Sequence, residues 1–356
     1  MKHKRIAIAA AFAACGWLTA GIAAAEDIKL RIAAGHAQVA TWVNLTSTFF
    51  VPEVTKRVAA RTKHKIEFIE AYGGALVKPP DVFEGVQSGI VDIGGYCFCF
   101  EPSSLPLHAF PVMAPFGSES TSTSVKVARQ IYDKVPFLTK VLEDKFNQKL
   151  IMLSPEQSYQ LGTNFEWKTI GDLKGKKLAG AGLNLKWLEY AGVVPVQSSL
   201  PDVYTSMQTG VYNGYIMFPS GWTQYKLYEV GKHFTETGFG AATWMGWTVN
   251  KAKWNKLPKD VQAIILEVGR EYEAKIGPVN DENYKKQVEQ LKANGVTVRK
   301  VPEAVRIEWA TALKDWPQQK ATELDKLGMP GSQVIKGWIE GQEKAGHKWP
   351  VRYVIK

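Results

Sequence analysis

The sequence predicts an α/β protein of two lobes, each built on a mostly parallel sheet, with a hinged cleft between them and long C-terminal helices. Three observations predict this architecture. Strand and helix patterns alternate through residues 27–94, the alternation returns in residues 169–258, and long amphipathic helices follow residue 258. With 356 residues, the chain is long enough for two sizeable cores.

The first lobe is predicted from a β-α-β-α-β pattern. Strand, helix, strand, helix and strand are predicted, in that order, for residues 27–34, 42–60, 65–71, 82–87 and 90–94. Apolar residues alternate in DIKLRIAA, as in a strand that has one buried face, and KIEFIEA is predicted as the second strand. Strands joined by helices in this way form a parallel sheet.

The second lobe repeats this plan after residue 169. Leu178 lies in a short strand before AGAG, and Leu185, Leu188 and Ala191 recur at helical spacing. A strand is predicted at 194–196, and a second helix runs from Pro201 to Gly210, where a C-cap glycine belongs. Residues 150–154 and 243–249 are predicted to cross between the lobes, which makes a hinge.

The last hundred residues are predicted to be mainly helical. A long amphipathic helix begins at Pro258 and ends before Gly295, a strand covers 296–301, and helices cover 303–327 and 333–345. The predicted units are a signal peptide (1–25), lobe I (26–152, with about 243–283 returning to it), lobe II (153–242, with about 284–330), and a C-terminal helix and tail (331–356).

The first 25 residues have the pattern of a secretory signal. Lys2, Lys4 and Arg5 precede an apolar centre, and the small residues 23–25 suit a cleavage site. The mature protein is therefore expected in the periplasm. A membrane-anchor helix and lipid attachment at Cys15 are the alternatives for this segment.

Composition and charge exclude several classes of protein. Hydrophobic residues make up 45% and charged residues 22%, as in a globular protein rather than a disordered or multi-span membrane protein. The net charge of +10 falls to +7 once the three basic residues of the signal are removed. The remaining lysines and arginines are scattered without interleaved aromatics, so we expect no nucleic-acid partner.

Two cysteines, Cys97 and Cys99, remain after cleavage of the signal. In a strand they would share one face, and a disulfide across so small a loop would be strained. The six histidines supply no further zinc ligands at a recognised spacing. We therefore expect two free thiols packed at the lobe wall, and neither a metal site nor a cofactor.

The sequence favours binding without catalysis. It contains no G-x-S-x-G elbow, P-loop, H-E-x-x-H or dinucleotide fingerprint. In open parallel sheets, ligands lie beyond the carboxyl ends of the strands. That rule selects the segments 35–36, 72–73, 96–100, 179–184 and 215–222.

Several motifs resemble one family over nearly the whole mature chain. They are FEGVQSGIVDIGG (83–95), LHAFPVMAPF (107–116), DLKGKKLAG (172–180), DVYTSMQTGVYNG (202–214), YKLYEVGKHFTETG (225–238) and VNKAKWNKLPKDVQ (249–262). The chain resembles the DctP-type periplasmic solute-binding subunit of TRAP (tripartite ATP-independent periplasmic) transporters. The resemblance implies a two-lobed periplasmic binding protein fold, a small organic solute, and TRAP membrane permease subunits as partners.

The chain departs from that family at its polar anchors. The resemblance implies an arginine at the eighth residue of DLKGKKLAG, where it would grip a carboxylate by a two-pronged salt bridge, and this chain has Ala179. The family's Gln-Glu-Asn-Pro aligns with residues 215–218, and a further arginine is replaced at Gln160. A buried carboxylate without a partner costs several kcal/mol, about 3–5 when one member of a buried pair is lost.

Aromatic residues stand near the predicted cleft instead, namely Phe98, Phe100, Tyr159, Trp187, Tyr215, Phe218 and Trp222. We expect a flat or hydrophobic solute, with Gln157, Gln160, Asn184 and backbone N–H groups setting its orientation. A cationic solute in an aromatic cage is the second possibility. An organic acid held by Lys186 is the third.

The predicted function is delivery of a small organic solute to a TRAP-type permease. The candidate ligand-binding residues are His36, Tyr72, Cys97, Phe98, Gln157, Tyr159, Gln160, Ala179, Asn184, Met217, Phe218 and Trp222. Two alternatives remain: a binding partner of a signalling or other uptake system, and an enzyme within a binding-protein fold.

Overall fold

The computed structural model describes residues 25–198, 200–242 and 244–356. The predicted signal segment, including Cys15, lies outside the described residues except for Ala25. No helix within the described residues is long and apolar enough to cross a membrane.

The first sheet has five strands in the order β2-β1-β3-β10-β4. The strands are β1 (Asp27–Ala34), β2 (Lys65–Ala71), β3 (Ile93–Cys97), β4 (Gln148–Pro155) and β10 (Trp244–Asn250). Strand β10 pairs antiparallel with both β3 and β4, so the other four strands run parallel to one another.

The second sheet has six strands in the order β11-β9-β5-β8-β6-β7. The strands are β5 (Tyr159–Thr163), β6 (Lys177–Gly180), β7 (Val194–Gln197), β8 (Gly214–Met217), β9 (His233–Gly240) and β11 (Thr297–Lys300). Strand β5 pairs antiparallel with β8 and β9, and the remaining strands run parallel. Each sheet is thus mostly parallel, as predicted.

Helices connect the strands and cover both sheets. They are α1 (Thr41–Leu45), α2 (Val51–Arg61), α3 (Val82–Ser88), α4 (Thr121–Lys134), α5 (Phe137–Lys145), α6 (Ile170–Leu173), α7 (Leu185–Glu189), α8 (Val203–Gln208), α9 (Pro219–Gln224), α10 (Lys251–Lys256), α11 (Lys259–Ala293), α12 (Glu303–Ala312), α13 (Trp316–Lys326) and α14 (Gly331–Lys344). A π-helical turn, Thr46–Phe50, joins α1 to α2.

Three segments connect the lobes. Residues 156–158 lead from β4 to β5, the chain after Gly240 leads back from β9 to β10, and α11 extends along both lobes. In α11, Tyr272 bonds to the first-lobe carbonyl of Trp42, whereas Tyr284 bonds to Glu236 of the second sheet. The two crossings leave parallel strands, β4 and β9, and enter the antiparallel strands β5 and β10. The carboxyl ends of the parallel strands in both lobes therefore meet at one cleft.

The C-terminal helices complete both cores. Trp309 of α12 is buried in the second lobe, where its indole N–H donates to the carbonyl of Trp187 at 2.8 Å. Trp338 of α14 is buried with Phe110 in the first lobe. The α12–α14 region therefore packs against both lobes.

Several element boundaries differ from the prediction, and the cause of two of these differences is clear. The third strand lies at Ile93–Cys97 rather than 90–94, because Gly89 ends α3 with a left-handed φ of 82° and a turn follows it. Residues 303–327 form two helices, α12 and α13, rather than one, because the helix breaks near Leu313.

Candidate functional site

A cavity of about 450 Å³ lies where the carboxyl ends of the two sheets meet; we call it the interlobe cavity. Its lining is mostly apolar. The lining residues are Phe98, Cys99, Pro102, Ser103, Pro106, His108, Ala109, Val112, Met113, Tyr159, Ala181, Gly182, Leu183, Asn184, Ala242, Lys320, Glu323, Leu324, Leu327 and Met329. Three predicted site residues, Phe98, Tyr159 and Asn184, are thus brought together.

The first-lobe wall of the cavity is built at the end of β3. The chain leaves the strand at Cys97 and makes a 3₁₀ turn over Phe98–Phe100. The ring of Phe98 is buried over Gly246, where a Cβ atom would lie only 2.3 Å from Phe98 Cζ. Phe98 also packs edge-on against His108, with ring centroids 4.9 Å apart. Gly246 and His108 therefore fix the position of this wall.

The prediction of two free thiols is wrong, because the structure joins Cys97 and Cys99 in a disulfide. The prediction placed both cysteines in one strand. Strand β3 instead ends at Cys97, and the following turn leaves the two Cα atoms 5.0 Å apart, within the usual range for disulfides. The disulfide closes the turn that carries Phe98.

The second-lobe wall comes from β5 and from the turn after β6. Tyr159 begins β5 and packs against Trp187 and Phe218, with centroid separations of 5.8 and 5.5 Å. Asn184 accepts a hydrogen bond from the backbone N–H of Ala181 at 2.9 Å. That bond fixes the turn and holds the Asn184 amide at the cavity wall.

The two walls touch in this structure. A Cβ atom on Gly182 would lie 3.7 Å from the carbonyl oxygen of Cys99, so the two turns approach closely across the cleft. At a second point, the side chain of Gln224 in α9 donates a hydrogen bond to the carbonyl of Val39 in the first lobe at 3.4 Å. The lobes are therefore in contact at two points.

Gln157 and Gln160 serve the hinge in this structure rather than lining the interlobe cavity. Gln157 accepts from the N–H of Ser220 at 3.0 Å and donates to the side chain of Gln287 at 2.7 Å. Gln160 donates to Glu119 at 2.9 Å and accepts from the N–H of Gly238 at 2.8 Å. Successive strand residues point to opposite faces, so Tyr159 faces the cavity and Gln160 faces away.

Four further predicted site residues lie in the core of the second lobe. Ala179, Met217, Phe218 and Trp222 are buried in one cluster with Tyr215. None of the four lines the interlobe cavity, although Phe218 supports Tyr159 from behind. The position at which the family resemblance implies an arginine is therefore enclosed by apolar side chains.

His36 and Tyr72 lie in the first lobe, near the carboxyl ends of β1 and β2. The His36 ring packs edge-on against Trp42 at 5.4 Å and stacks on Phe100 at 6.4 Å. Burial lowers the pKa of His36 to about 4, so the imidazole is neutral at pH 7. Burial also raises the pKa of Tyr72, with Glu70 adding to the effect.

The interlobe cavity offers little positive charge. Of its lining residues only Lys320 is cationic at neutral pH, and its ammonium pairs with Glu323 at 2.6 Å. Lys186 pairs with Glu189 at 2.5 Å on the exposed side of α7, and this hydrogen bond raises the pKa of Lys186. Lys186 is thus engaged outside the cavity, which gives no support to an acid held by Lys186.

Sequence reasoning missed Glu156, which lies in the crossing segment between β4 and β5. It is only 4% exposed. Its one hydrogen bond is accepted from the N–H of Gln157 at 3.4 Å, and no cation pairs with it among the residues that the structure describes. Burial raises the pKa of Glu156 to about 7. The buried position of this residue, at a hinge, was not visible in PEQSYQ.

Comparisons with known proteins identify the family of this chain. Residues 45–323 match the model of DctP, described as bacterial extracellular solute-binding protein, family 7. The chain belongs to this DctP family. The resemblance that the sequence motifs indicated is thereby confirmed. The family consists of solute-binding proteins that serve transport, rather than of enzymes.

Individual relatives of this DctP-family chain are more distant. A solute-binding protein from Albidiferax ferrireducens is 32% identical over 106 residues, which is 29% of this chain and 31% of the relative. The C4-dicarboxylate-binding periplasmic protein DctP of Rhodobacter capsulatus is 32% identical over 108 residues, which is 30% of this chain and 32% of the relative. The chain thus matches about a third of the length of these relatives.

Solved structures share the fold over most of this DctP-family chain. A marine metagenome TRAP solute-binding protein in complex with 3-hydroxybenzoate has a TM-score of 0.78 at 21% identity, covering 90% of this chain and 99% of its own. A TRAP solute-binding protein from Rhodoferax ferrireducens with copurified benzoate has a TM-score of 0.77 at 20% identity, covering 90% and 98%. These likenesses confirm the two-lobed fold.

Proposed function

We propose that this chain is the exported, periplasmic solute-binding subunit of a TRAP-type transporter and that it carries a compact organic solute with a flat apolar ring. One observation carries the proposal: apolar and aromatic side chains wall the interlobe cavity, while alanine occupies position 179, where the family resemblance implies a carboxylate-binding arginine. Burial of the ring against Phe98 and Tyr159 would supply most of the affinity.

The size of the cavity supports a solute of this kind. Cavities of about 300–1,000 Å³ are typical of small-molecule sites, and this one is about 450 Å³. The polar groups at its wall are few. The Asn184 amide is one of them, and it would orient a polar substituent of the ring.

Fold relatives lend support from ligand chemistry. Solved TRAP solute-binding proteins of this fold hold benzoate, 3-hydroxybenzoate and mandelate. Each of these ligands has a single aromatic ring. We therefore expect a ring-sized solute here, held with less help from positive charge.

A thermal-shift screen of the mature protein tests the proposal. The panel is benzoate, benzyl alcohol, benzyltrimethylammonium and succinate, each at 1–10 mM as an order-of-magnitude choice. We expect at least one ring compound to raise the melting temperature by roughly 3 °C or more and to bind with 1:1 stoichiometry in calorimetry. Stabilisation by succinate alone would refute an apolar cleft.

A matched pair of variants locates the site. Tyr159→Ala removes a ring from the cavity wall and should weaken binding of the ring compound by roughly tenfold or more, since 1.4 kcal/mol is tenfold. Tyr204→Ala removes a tyrosine that bonds to Glu229 away from the cavity and should leave affinity unchanged. Equal loss of affinity in both variants would place the solute elsewhere.

A further inference from the structure

Glu156 occupies the first crossing between the lobes, in a segment of only three residues. Both of its chain neighbours are fixed. Pro155 pairs with β10 in the first sheet, while Gln157 binds Ser220 at the start of α9 and Gln287 of α11. Because both neighbours are fixed, the backbone of Glu156 stays at the hinge unless the lobes themselves move.

The surroundings of Glu156 do not compensate a negative charge. Among the described residues, Tyr272 of α11 interacts electrostatically with this carboxyl. The Tyr272 hydroxyl is already hydrogen-bonded to Ser154 and to the carbonyl of Trp42. No lysine, arginine or histidine contributes an attraction to Glu156 within the described part of the chain. An ionised carboxylate that is buried without a partner is costly, whereas a neutral carboxylic acid is not.

We propose that Glu156 couples closure of the lobes to uptake of one proton. In the closed arrangement, with the lobes in contact, Glu156 is held as a neutral acid. Opening at the hinge gives the carboxyl access to water, where the ionised form is stable. The inference deepens the proposed function and rests on it, because proton uptake would then favour the form that encloses the solute.

The direction of the effect follows from linkage. Burial in the closed form raises the pKa of Glu156 from 4.5 to about 7, while a hydrated carboxyl in the open form keeps its ordinary value. Closure therefore becomes less favourable as the pH rises from 4.5 through 7. With these values, the ratio of closed to open protein should fall by about thirtyfold between roughly pH 5.5 and 8.5.

Distance measurements without any solute test this coupling separately from the proposed function. Ile90 and Val211 are exposed residues on the two lobes, and each can carry a spin label. Pulsed electron paramagnetic resonance then measures the distance between the labels and so the closed and open populations. We expect the closed population of the mature protein to fall between pH 5.5 and 8.5. In Glu156→Gln it should stay at one level across this range, because glutamine does not titrate.

Glu189→Gln is the control for the loss of one carboxylate. Glu189 pairs with Lys186 on the exposed side of α7, outside the interlobe cavity. This variant should keep the pH dependence of the original protein. The inference fails if the populations do not change with pH, or if Glu156→Gln retains the change. Either result leaves the ring-binding proposal standing, since no solute enters the experiment.

Discussion

Replacement of His108 by glutamine should make the fold less sensitive to acid. The imidazole is fully buried behind Phe98, and its Nε2–H donates to the carbonyl of Leu138 at 2.8 Å. Burial lowers the pKa of His108 to about 4 against an ordinary 6.5. The unfolded chain therefore binds a proton at mildly acidic pH that the folded chain rejects, and stability falls as the pH drops below 6.5.

The size of this effect follows from the two pKa values. Between roughly pH 7.5 and 4.5, His108 should remove about 2.5 kcal/mol from the free energy of unfolding. The glutamine variant keeps a donor for the Leu138 carbonyl but does not titrate. Its stability should therefore fall by about 2.5 kcal/mol less than that of the original protein over this range.

Urea unfolding at several pH values, followed by tryptophan fluorescence, measures the difference. His36 and Glu156 titrate in both proteins, so their contributions cancel when the two curves are subtracted. We expect the stability advantage of the original protein to shrink steadily toward pH 4.5. Two curves that stay parallel from pH 7.5 to 4.5 would show that His108 binds its proton equally well in the folded and unfolded states, against this reasoning.

Two further substitutions test the packing around the site. Glu273→Gln should cost about 3–5 kcal/mol of unfolding free energy, because it removes the buried carboxylate that holds the largely buried guanidinium of Arg129 and leaves the half-exposed Asp133, at 3.6 Å, as its carboxylate partner; a loss below about 1 kcal/mol in urea unfolding would contradict this. Gly246→Ala should displace the Phe98 ring, costing about 1–3 kcal/mol and weakening the ring solute in calorimetry. Gly171→Ala is the control for Gly246→Ala, because its added Cβ would lie 3.5 Å from the nearest atom. It should change neither the free energy of unfolding nor the affinity for the ring solute.

The strands with the clearest periodicity were predicted best. Asp27–Ala34 has the predicted bounds because Ile28, Leu30 and Ile32 are apolar and buried at every second position, and Lys65–Ala71, which pairs with it, also has the predicted bounds. Strand β5, Tyr159–Thr163, was not predicted. This strand is almost wholly buried, and Gly162 lies directly under the ring of Trp222. Polar and apolar residues therefore do not alternate in YQLGT, and no period of two reveals the strand.

The candidate site was only partly predictable. The rule that ligands lie at the carboxyl ends of parallel strands selected Phe98 and Asn184, and Tyr159 was predicted as one of the aromatic residues near the cleft; all three line the interlobe cavity. It could not show that the side chain of Gln160 faces the hinge, because β5 runs antiparallel and its register is set by β8 and β9. The burial of Glu156 depends on contacts between distant segments, which local sequence does not record.

Pro278 lies inside α11 between Tyr272 and Tyr284, the two tyrosines that bond to different lobes. Proline has no N–H, so the carbonyl of Ala274 lacks the partner that an unbroken helix would provide. The helix can therefore flex here without giving up a backbone hydrogen bond. The stretch around Pro278 is therefore the weakest part of the one helix that is anchored to both lobes.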